Sequence, residues 1–334
     1  MVSESTENKR VSKSGKPCIR YGFLLIPDYS MIAFSSAIEV LRMANRLGRG
    51  NLYEWTTYTM TGEAVPASNE LMINPGDCID NAENLDALFV CSGVKVTTQW
   101  SKALHMVLHK FNQKKVTLGG LCTGTYLLAK SELMDGYRCT IHWENIASFR
   151  ESFTSTILTE ELFEIDRNRY TTAGGTAPLD MMLQLVKEQH GEKLAVSISE
   201  QFMCDRMRGS FDKQRIPLKL LIGTNQPKLI EAVTLMEANL EELISLDELA
   251  DLVCISRRQL ERLFKKYLNC VPQRYYMELR LKRARQFLLQ TDKPIVEIAV
   301  ACGFVSVPHF SKSYRDLFDV PPSVERLLRR EQMC

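Results

Sequence analysis

A helix-turn-helix pattern occurs twice in the last third of the chain, and this duplication constrains the fold more than any other feature. The first copy runs through Leu246, Leu249, Ala250 and Val253, turns at Ile255, and continues through Ser256, Leu260, Phe264, Asn269 and Pro272. The second runs through Ile295, Ile298, Ala299 and Cys302, turns at Phe304, and continues through Ser306, Phe310, Tyr314, Asp319 and Pro322. The copies are offset by 49 residues before the turn and by 50 after it, so the second turn is one residue longer. The spacing i, i+3, i+4, i+7 in each first helix makes one buried stripe. In the second helix of the first copy, Leu260, Leu263, Phe264 and Tyr267 face inward, so Arg258, Glu261 and Arg262 face out. The matching outward positions of the second copy are Pro308, Ser311 and Lys312, with His309 and Arg315 nearby. Such a unit presents its second helix to a major groove, which makes double-stranded promoter DNA the partner to expect.

Charge agrees with that partner. The whole chain has 334 residues and a net charge of only +2. Between Ser256 and Arg285, however, ten basic residues face only Glu261 and Glu278, a local charge of +8. A charge run is most often a solvated helix face, but this one falls on the groove helix and the helix after it, where phosphates would lie. The candidate DNA contacts are Arg257, Arg258, Glu261, Arg262 and Lys265 in the first copy, and Pro308, Ser311, Lys312 and Arg315 in the second. Arg reads guanine through two parallel hydrogen bonds, so Arg258 and Arg262 are the leading base contacts. Pro308 offers only apolar contact, which predicts weaker reading by the second copy. A connecting helix of about 17 residues spans roughly 25 Å, enough to hold the two groove helices near the ~34 Å repeat of one DNA face.

The length predicts two domains. We expect a flexible tail over 1–17, a ligand-sensing domain over 18–210, a linker over 211–227 marked by Gly209, Pro217, Gly223 and Pro227, and an all-α DNA-binding domain over 228–330. No apolar run reaches the ~18 residues of a membrane helix, and the polar first residues lack the core of a signal peptide. The ten cysteines include no CxxC pair. The chain therefore reads as cytosolic, with no metal site, cofactor or disulfide framework expected.

The N-terminal half alternates strand-like and helix-like stretches. Ile19–Ile26, Tyr53–Met60, Leu88–Cys91 and Val116–Gly119 read as strands. Phe34–Leu47, Ser101–Asn112, Thr125–Lys130, Pro178–His190 and Glu192–Arg208 read as helices, with a tight turn at Thr171–Gly175. This is an α/β sandwich around a largely parallel sheet. At Leu118-Gly119-Gly120-Leu121-Cys122-Thr123-Gly124 a strand runs straight into a helix, which resembles a nucleophile elbow. A thiol at a helix N-terminus is expected to have a lowered pKa and free amides beside it.

The C-terminal residues Ser256–Phe264, Pro272, Arg280-Leu281, Ala284, Ile298–Phe304, His309-Phe310 and Pro321-Pro322 resemble the AraC/XylS family of bacterial transcription regulators. Glycine is usual in that family where Asn269 and Asp319 stand; both tolerate a left-handed backbone. The Cys122 elbow, His142-Trp143-Glu144 and Ala173-Gly174-Gly175-Thr176-Ala177 resemble the PfpI superfamily, whose fold is like that of class I glutamine amidotransferases, with flavodoxin-like layers. They are similar in particular to its GlxA-like regulator branch, which fuses that sandwich to an AraC-type tail. Within the branch, Leu41–Asn45, Gly174–Leu183 and Gly223–Leu229 are similar to regulators of choline and glycine betaine catabolism.

The resemblance implies a cytoplasmic activator of a catabolic operon, a homodimer that works with RNA polymerase and answers to a small amino-acid-like effector such as glycine betaine or dimethylglycine. Regulation of carnitine or arginine catabolism is the alternative. Enzymatic members of the superfamily bring an acid from the first strand–helix loop to the Cys; here that loop offers only Asp28, with Glu39 further into the helix. We therefore expect no enzyme but a vestigial elbow serving as a ligand pocket, with a PfpI-like enzyme tethered to DNA as the rival. The candidate ligand contacts are Cys122, Thr123, His142, Trp143 and Tyr29, the aromatic rings suiting a quaternary ammonium. Phe34 and Tyr126 read as core.

Overall fold

The computed structural model describes residues 18–48, 50–212, 214 and 226–331. The chain separates into two units, Met1–Gln214 and Arg215–Cys334. The tail expected over 1–17 and most of the linker expected over 211–227 lie outside the described residues.

The first unit is built on a seven-stranded sheet in the order β10-β11-β7-β6-β1-β2-β5. Its strands are β1 (Ile19–Leu25), β2 (Tyr53–Thr59), β5 (Asp77–Cys78), β6 (Ala87–Ser92), β7 (Thr117–Cys122), β10 (Phe163–Asp166) and β11 (Arg169–Thr172). Two short pairs stand apart, β3 (Val65–Pro66) with β4 (Met72–Ile73) and β8 (Arg138–Cys139) with β9 (Ile157–Leu158). The central strands run parallel, and β10 runs antiparallel to β11 at one edge. Parallel strands are covered on both faces, which is why Phe23-Leu24-Leu25 and Leu88-Phe89-Val90 are unbroken apolar runs.

Alternate residues serve opposite cores. Phe23, Phe89 and Leu121 pack with α1 (Met31–Leu47), α5 (Ala177–His190) and α6 (Glu192–Gln201), against Val40, Met182 and Ile198. Leu24, Leu88, Val90 and Leu118 pack with α2 (Lys102–Gln113), α3 (Gly124–Lys130) and α4 (Ile146–Ser152), against Leu108, Leu127 and Phe149. Each such side chain contributes roughly 1.5–3 kcal/mol. All these strands end at the same edge of the sheet, and that edge carries Cys122.

Two expectations change. The helix expected over Glu192–Arg208 stops at Gln201. Met203 takes a left-handed backbone, and the chain turns so that Arg208 reaches the buried carboxylate of Asp180. The turn expected over Thr171–Gly175 begins later, because Thr171 and Thr172 are strand residues in a hairpin with β10. That hairpin turns through Arg167, also left-handed, and its strand signal, the alternation Phe163-Glu164-Ile165-Asp166, is only four residues long.

The second unit is helical: α7 (Pro227–Ala238), α8 (Leu246–Leu252), α9 (Arg257–Leu268), α10 (Pro272–Gln290), α11 (Ile295–Ala301), α12 (Val307–Phe318) and α13 (Pro322–Glu331). Ser245 and Ser256 cap α8 and α9, and Ser256 with Gln259 forms a full capping box. The repeat extends to the backbone. Cys254 and Gly303, 49 residues apart, both take left-handed conformations in the turns. Asn269 and Asp319 do so at the ends of α9 and α12. The extra residue of the second turn is Val305, which is fully exposed.

Candidate effector site and nucleic-acid interface

β7 ends on Cys122 with a φ of 60°, and α3 begins two residues later. The left-handed backbone at a non-glycine residue makes the sharp strand-to-helix turn that the small residues around it permit. The thiol is buried. Its surroundings come from three strand ends. The His142 N–H donates to the Cys122 carbonyl at 3.3 Å. The Thr123 hydroxyl donates to the Gly93 carbonyl at 2.7 Å, which ties the elbow to the end of β6. Gly174, after β11, is the wall of the site: a Cβ there would come within 2.4 Å of His142 Cδ2 and 3.0 Å of Cys122 Sγ.

The electrostatics reverse one expectation. A helix N-terminus was expected to lower the Cys122 pKa; burial instead pushes it up to about 12, with the Thr123 amide lowering it and Glu144 raising it further. Desolvation outweighs the end of a helix only seven residues long. Burial also lowers the His142 pKa, against the pull of Glu144. Neutral His142 accepts from the Glu144 N–H through Nδ1 at 3.4 Å, so its Nε2, on the Gly174 side, carries the proton. The loop acid Asp28 and the α1 acid Glu39 are engaged elsewhere. Asp28 pairs with Lys95 at 3.5 Å and Glu39 with Arg42 at 2.6 Å.

The sequence-derived ligand candidates divide by position. Cys122, Thr123, His142 and Trp143 come together at the elbow. Trp143 is 37% exposed, its ring tilted against His142 at 5.7 Å between centroids. Tyr29 lies fully buried with Phe34 edge-on at 5.7 Å, and its buried hydroxyl has no hydrogen-bond partner among the described residues. Phe34 and Tyr126 pack against Phe23 and Phe153 respectively. Gly174 stood in a motif, but its role as the wall between thiol and imidazole needs the fold to be seen.

In the second unit, Leu260 and Phe264 are buried while Arg257, Arg258, Arg262 and Lys265 are exposed and Glu261 half-buried. Arg257 pairs with Asp247 at 3.0 Å and with Glu261 at 3.2 Å, so both are already engaged. Arg258, Arg262 and Lys265 form no ion pair with any described residue. On α12, Pro308, Lys312 and Arg315 are exposed and Ser311 is half-buried. The basic run also contains residues that hold the fold. Arg280 is buried, stacks 4.0 Å from the Phe304 ring, and donates to the carbonyls of Cys302 and Gly303. Arg285 pairs with the buried Glu325 at 2.7 Å, which also accepts from the Tyr314 hydroxyl. Arg280 is therefore a structural clamp rather than a phosphate contact. Helix α10 has 19 residues, about 28 Å at 1.5 Å per residue. Among the described residues no group of His, Cys, Asp and Glu could hold a metal, and no helix is long and apolar enough to cross a membrane.

Comparison with known proteins assigns both units. Residues 23–188 match the DJ-1/PfpI family and residues 249–327 a helix-turn-helix domain. The chain is 51% identical over 305 residues to the HTH-type transcriptional regulator GbdR of Pseudomonas aeruginosa, covering 91% of this chain and 83% of that one. It is 45% identical over 312 residues to the HTH-type transcriptional regulator ArgR of Pseudomonas aeruginosa, covering 93% and 94%. A crystal structure of an AraC family transcriptional regulator from Pseudomonas putida superposes with a TM-score of 0.51 at 30% identity, over 55% of this chain and 99% of that one. The parallel-sheet unit with its cysteine elbow and the paired helix-turn-helix units thus place the chain in the AraC-type family of HTH transcriptional regulators that carry an N-terminal DJ-1/PfpI domain.

Proposed function

We propose that this regulator is switched by a small amino-acid-like effector seated at the Cys122 elbow, and that the elbow performs no catalysis. One observation carries this reading: the thiol is buried, burial raises its pKa, and Asp28 of the neighbouring loop and Glu39 of α1 are held in ion pairs with Lys95 and Arg42. A nucleophilic cysteine needs a thiolate and a base to make it. The surroundings suit binding instead. The half-exposed Trp143 ring offers a face to a quaternary ammonium. The Nε2–H of His142 and the amides of the elbow are donors for a carboxylate.

Glycine betaine or dimethylglycine is the effector class, from the resemblance to regulators of betaine catabolism. By the same resemblance the protein acts as a homodimer in the cytoplasm, activating a catabolic operon through RNA polymerase. Thermal denaturation of the full chain with glycine betaine, dimethylglycine, carnitine and arginine tests the assignment. A true effector at 100 times its Kd stabilises by about 2.7 kcal/mol; no shift with any of the four refutes it. Cys122→Ala separates sensor from enzyme. Effector-dependent promoter activation should survive in this variant, and its loss with effector affinity intact would mean that covalent chemistry at the thiol is required.

A further inference from the structure

The last described residue of the first unit is fastened to the segment that carries His142. The Gln214 Nε2 donates to the Thr140 hydroxyl at 2.8 Å, the Ile141 carbonyl at 3.0 Å and the Glu161 carbonyl at 2.9 Å. Thr140 is itself fully buried and tied to the elbow from two other sides. Its carbonyl accepts from the Thr125 hydroxyl in α3 at 2.9 Å, and its N–H donates to the Thr171 hydroxyl in β11 at 3.0 Å. Both of those elements lead into the site, α3 from Cys122 and β11 into Gly174.

A second attachment lies six residues earlier. Arg208 donates to the Asp180 carboxylate from Nε at 3.0 Å and from its own backbone N–H at 3.1 Å, and to the Thr176 hydroxyl at 2.7 Å. Thr176 directly follows Gly174-Gly175, the wall beside Cys122 and His142. The segment through which the chain leaves the first unit is thus bonded on both sides of the effector site, and the second unit begins at the next residue, Arg215.

We propose that Gln214 and Arg208 are positioning residues that form a latch: occupancy at His142 and Gly174 is transmitted through Thr140 and Thr176 to the segment that leads to the DNA-binding unit. This rests on the reading of the elbow as the effector site. An effector that displaces the His142 segment or the Gly174 loop moves the acceptors of the latch, and the exit segment must follow or let go. Packed, hydrogen-bonded elements respond in discrete steps rather than by gradual deformation. By linkage, DNA bound to the second unit must alter effector affinity by the same factor.

The test uses the full chain, a labelled promoter fragment and glycine betaine. In the wild type, saturating glycine betaine should change promoter affinity by roughly 5–150-fold, the usual range for coupled sites. In Gln214→Ala, and separately in Arg208→Lys, that factor should fall to about 2 or less, while glycine betaine affinity without DNA stays within about 2-fold of wild type. A variant that binds glycine betaine and keeps the wild-type factor overturns the latch. Failure of the wild type to bind glycine betaine sinks the effector assignment instead, and Gly174→Ala then judges the latch without a ligand. The added methyl group presses on His142 and Cys122, so it should shift promoter affinity in the wild-type background and not in Gln214→Ala. An equal shift in both backgrounds overturns the latch.

Discussion

Arg280 in α10 holds the turn of the second helix-turn-helix by donating to the carbonyl of Gly303 at 2.7 Å. The same guanidinium reaches the Cys302 carbonyl and covers the Phe304 ring, so one side chain from the connecting helix fixes three successive residues of the turn. The first repeat has no such clamp among the described residues. Ser256 with Gln259 and the Asp247–Arg257–Glu261 ion pairs stabilise that turn from its own two helices.

Arg280→Ala should lower the stability of the second unit by about 2–4 kcal/mol, because two carbonyls lose charged donors in a buried place. Arg280→Lys should recover little, since an ammonium cannot span both carbonyls as a planar fork does. Thermal unfolding of the full chain, followed by calorimetry, checks both. A Lys variant as stable as wild type would refute the clamp.

The two turns differ at one repeat position. Gly303 has a φ of 72°, and a Cβ there would meet the Leu240 carbonyl at 2.8 Å. Gly303→Ala should therefore destabilise by more than 1 kcal/mol. Cys254 occupies the matching left-handed position at a cost of ~1–2 kcal/mol, so Cys254→Gly should gain about 0.5–1 kcal/mol once the added freedom of the unfolded chain is subtracted. Denaturant midpoints measure both, and equal effects at the two positions would be inconsistent with this account.

Arg258 and Lys265 should fail differently. Arg258→Ala should cost ~1–3 kcal/mol and relax preference at one base pair. Lys265→Ala should weaken binding evenly across sequences and reduce the salt slope by about 1. Binding to a panel of promoter variants at several salt concentrations separates the two; an unchanged preference in Arg258→Ala would remove it from the base contacts.

Cys122 gives a pH signature. Its folded pKa of about 12 lies above the ~8.5 of an unfolded thiol. The native state keeps its proton where the unfolded state has lost it, so this contribution to stability is complete below pH ~8.5 and falls as pH rises through the folded value, at up to about 1.4 kcal/mol per pH unit. Cys122→Ala should flatten the alkaline arm of the stability profile. At neutral pH an alkylating reagent should label the exposed Cys254 well before Cys122, which peptide mapping would reveal.

Much of this protein is legible in its sequence because the signals are local. Apolar spacing sets α8 through α12, serines and prolines mark the starts of helices, and Asn269 and Asp319 sit where a left-handed cap is required. Unbroken apolar runs mark the doubly covered strands. The strand–cysteine–helix junction also announces itself, since small residues must surround so sharp a turn. The hairpin β10–β11 is hard to read for a different reason: Phe163 and Ile165 alternate with Glu164 and Asp166 over only four residues, and pairing with β7 rather than local preference holds β11 in the sheet.

Only the tertiary structure decided which members of each group are free to act. Sequence gives ten basic residues in one run; the fold buries Arg280, pairs the exposed Arg285 with the buried Glu325 and Arg257 with two acids, and leaves Arg258, Arg262 and Lys265 without an ion pair among the described residues. Sequence puts Cys122 at a helix start, where a low pKa is the natural expectation; burial under the ends of three strands reverses it. The chain alone determines where helices, strands and turns fall, because those depend on neighbours a few residues apart. Desolvation and ion pairing depend on residues brought together from dozens of positions away, such as Gly174 beside Cys122 or Gln214 beside Thr140, and these contacts exist only once the sheet has assembled.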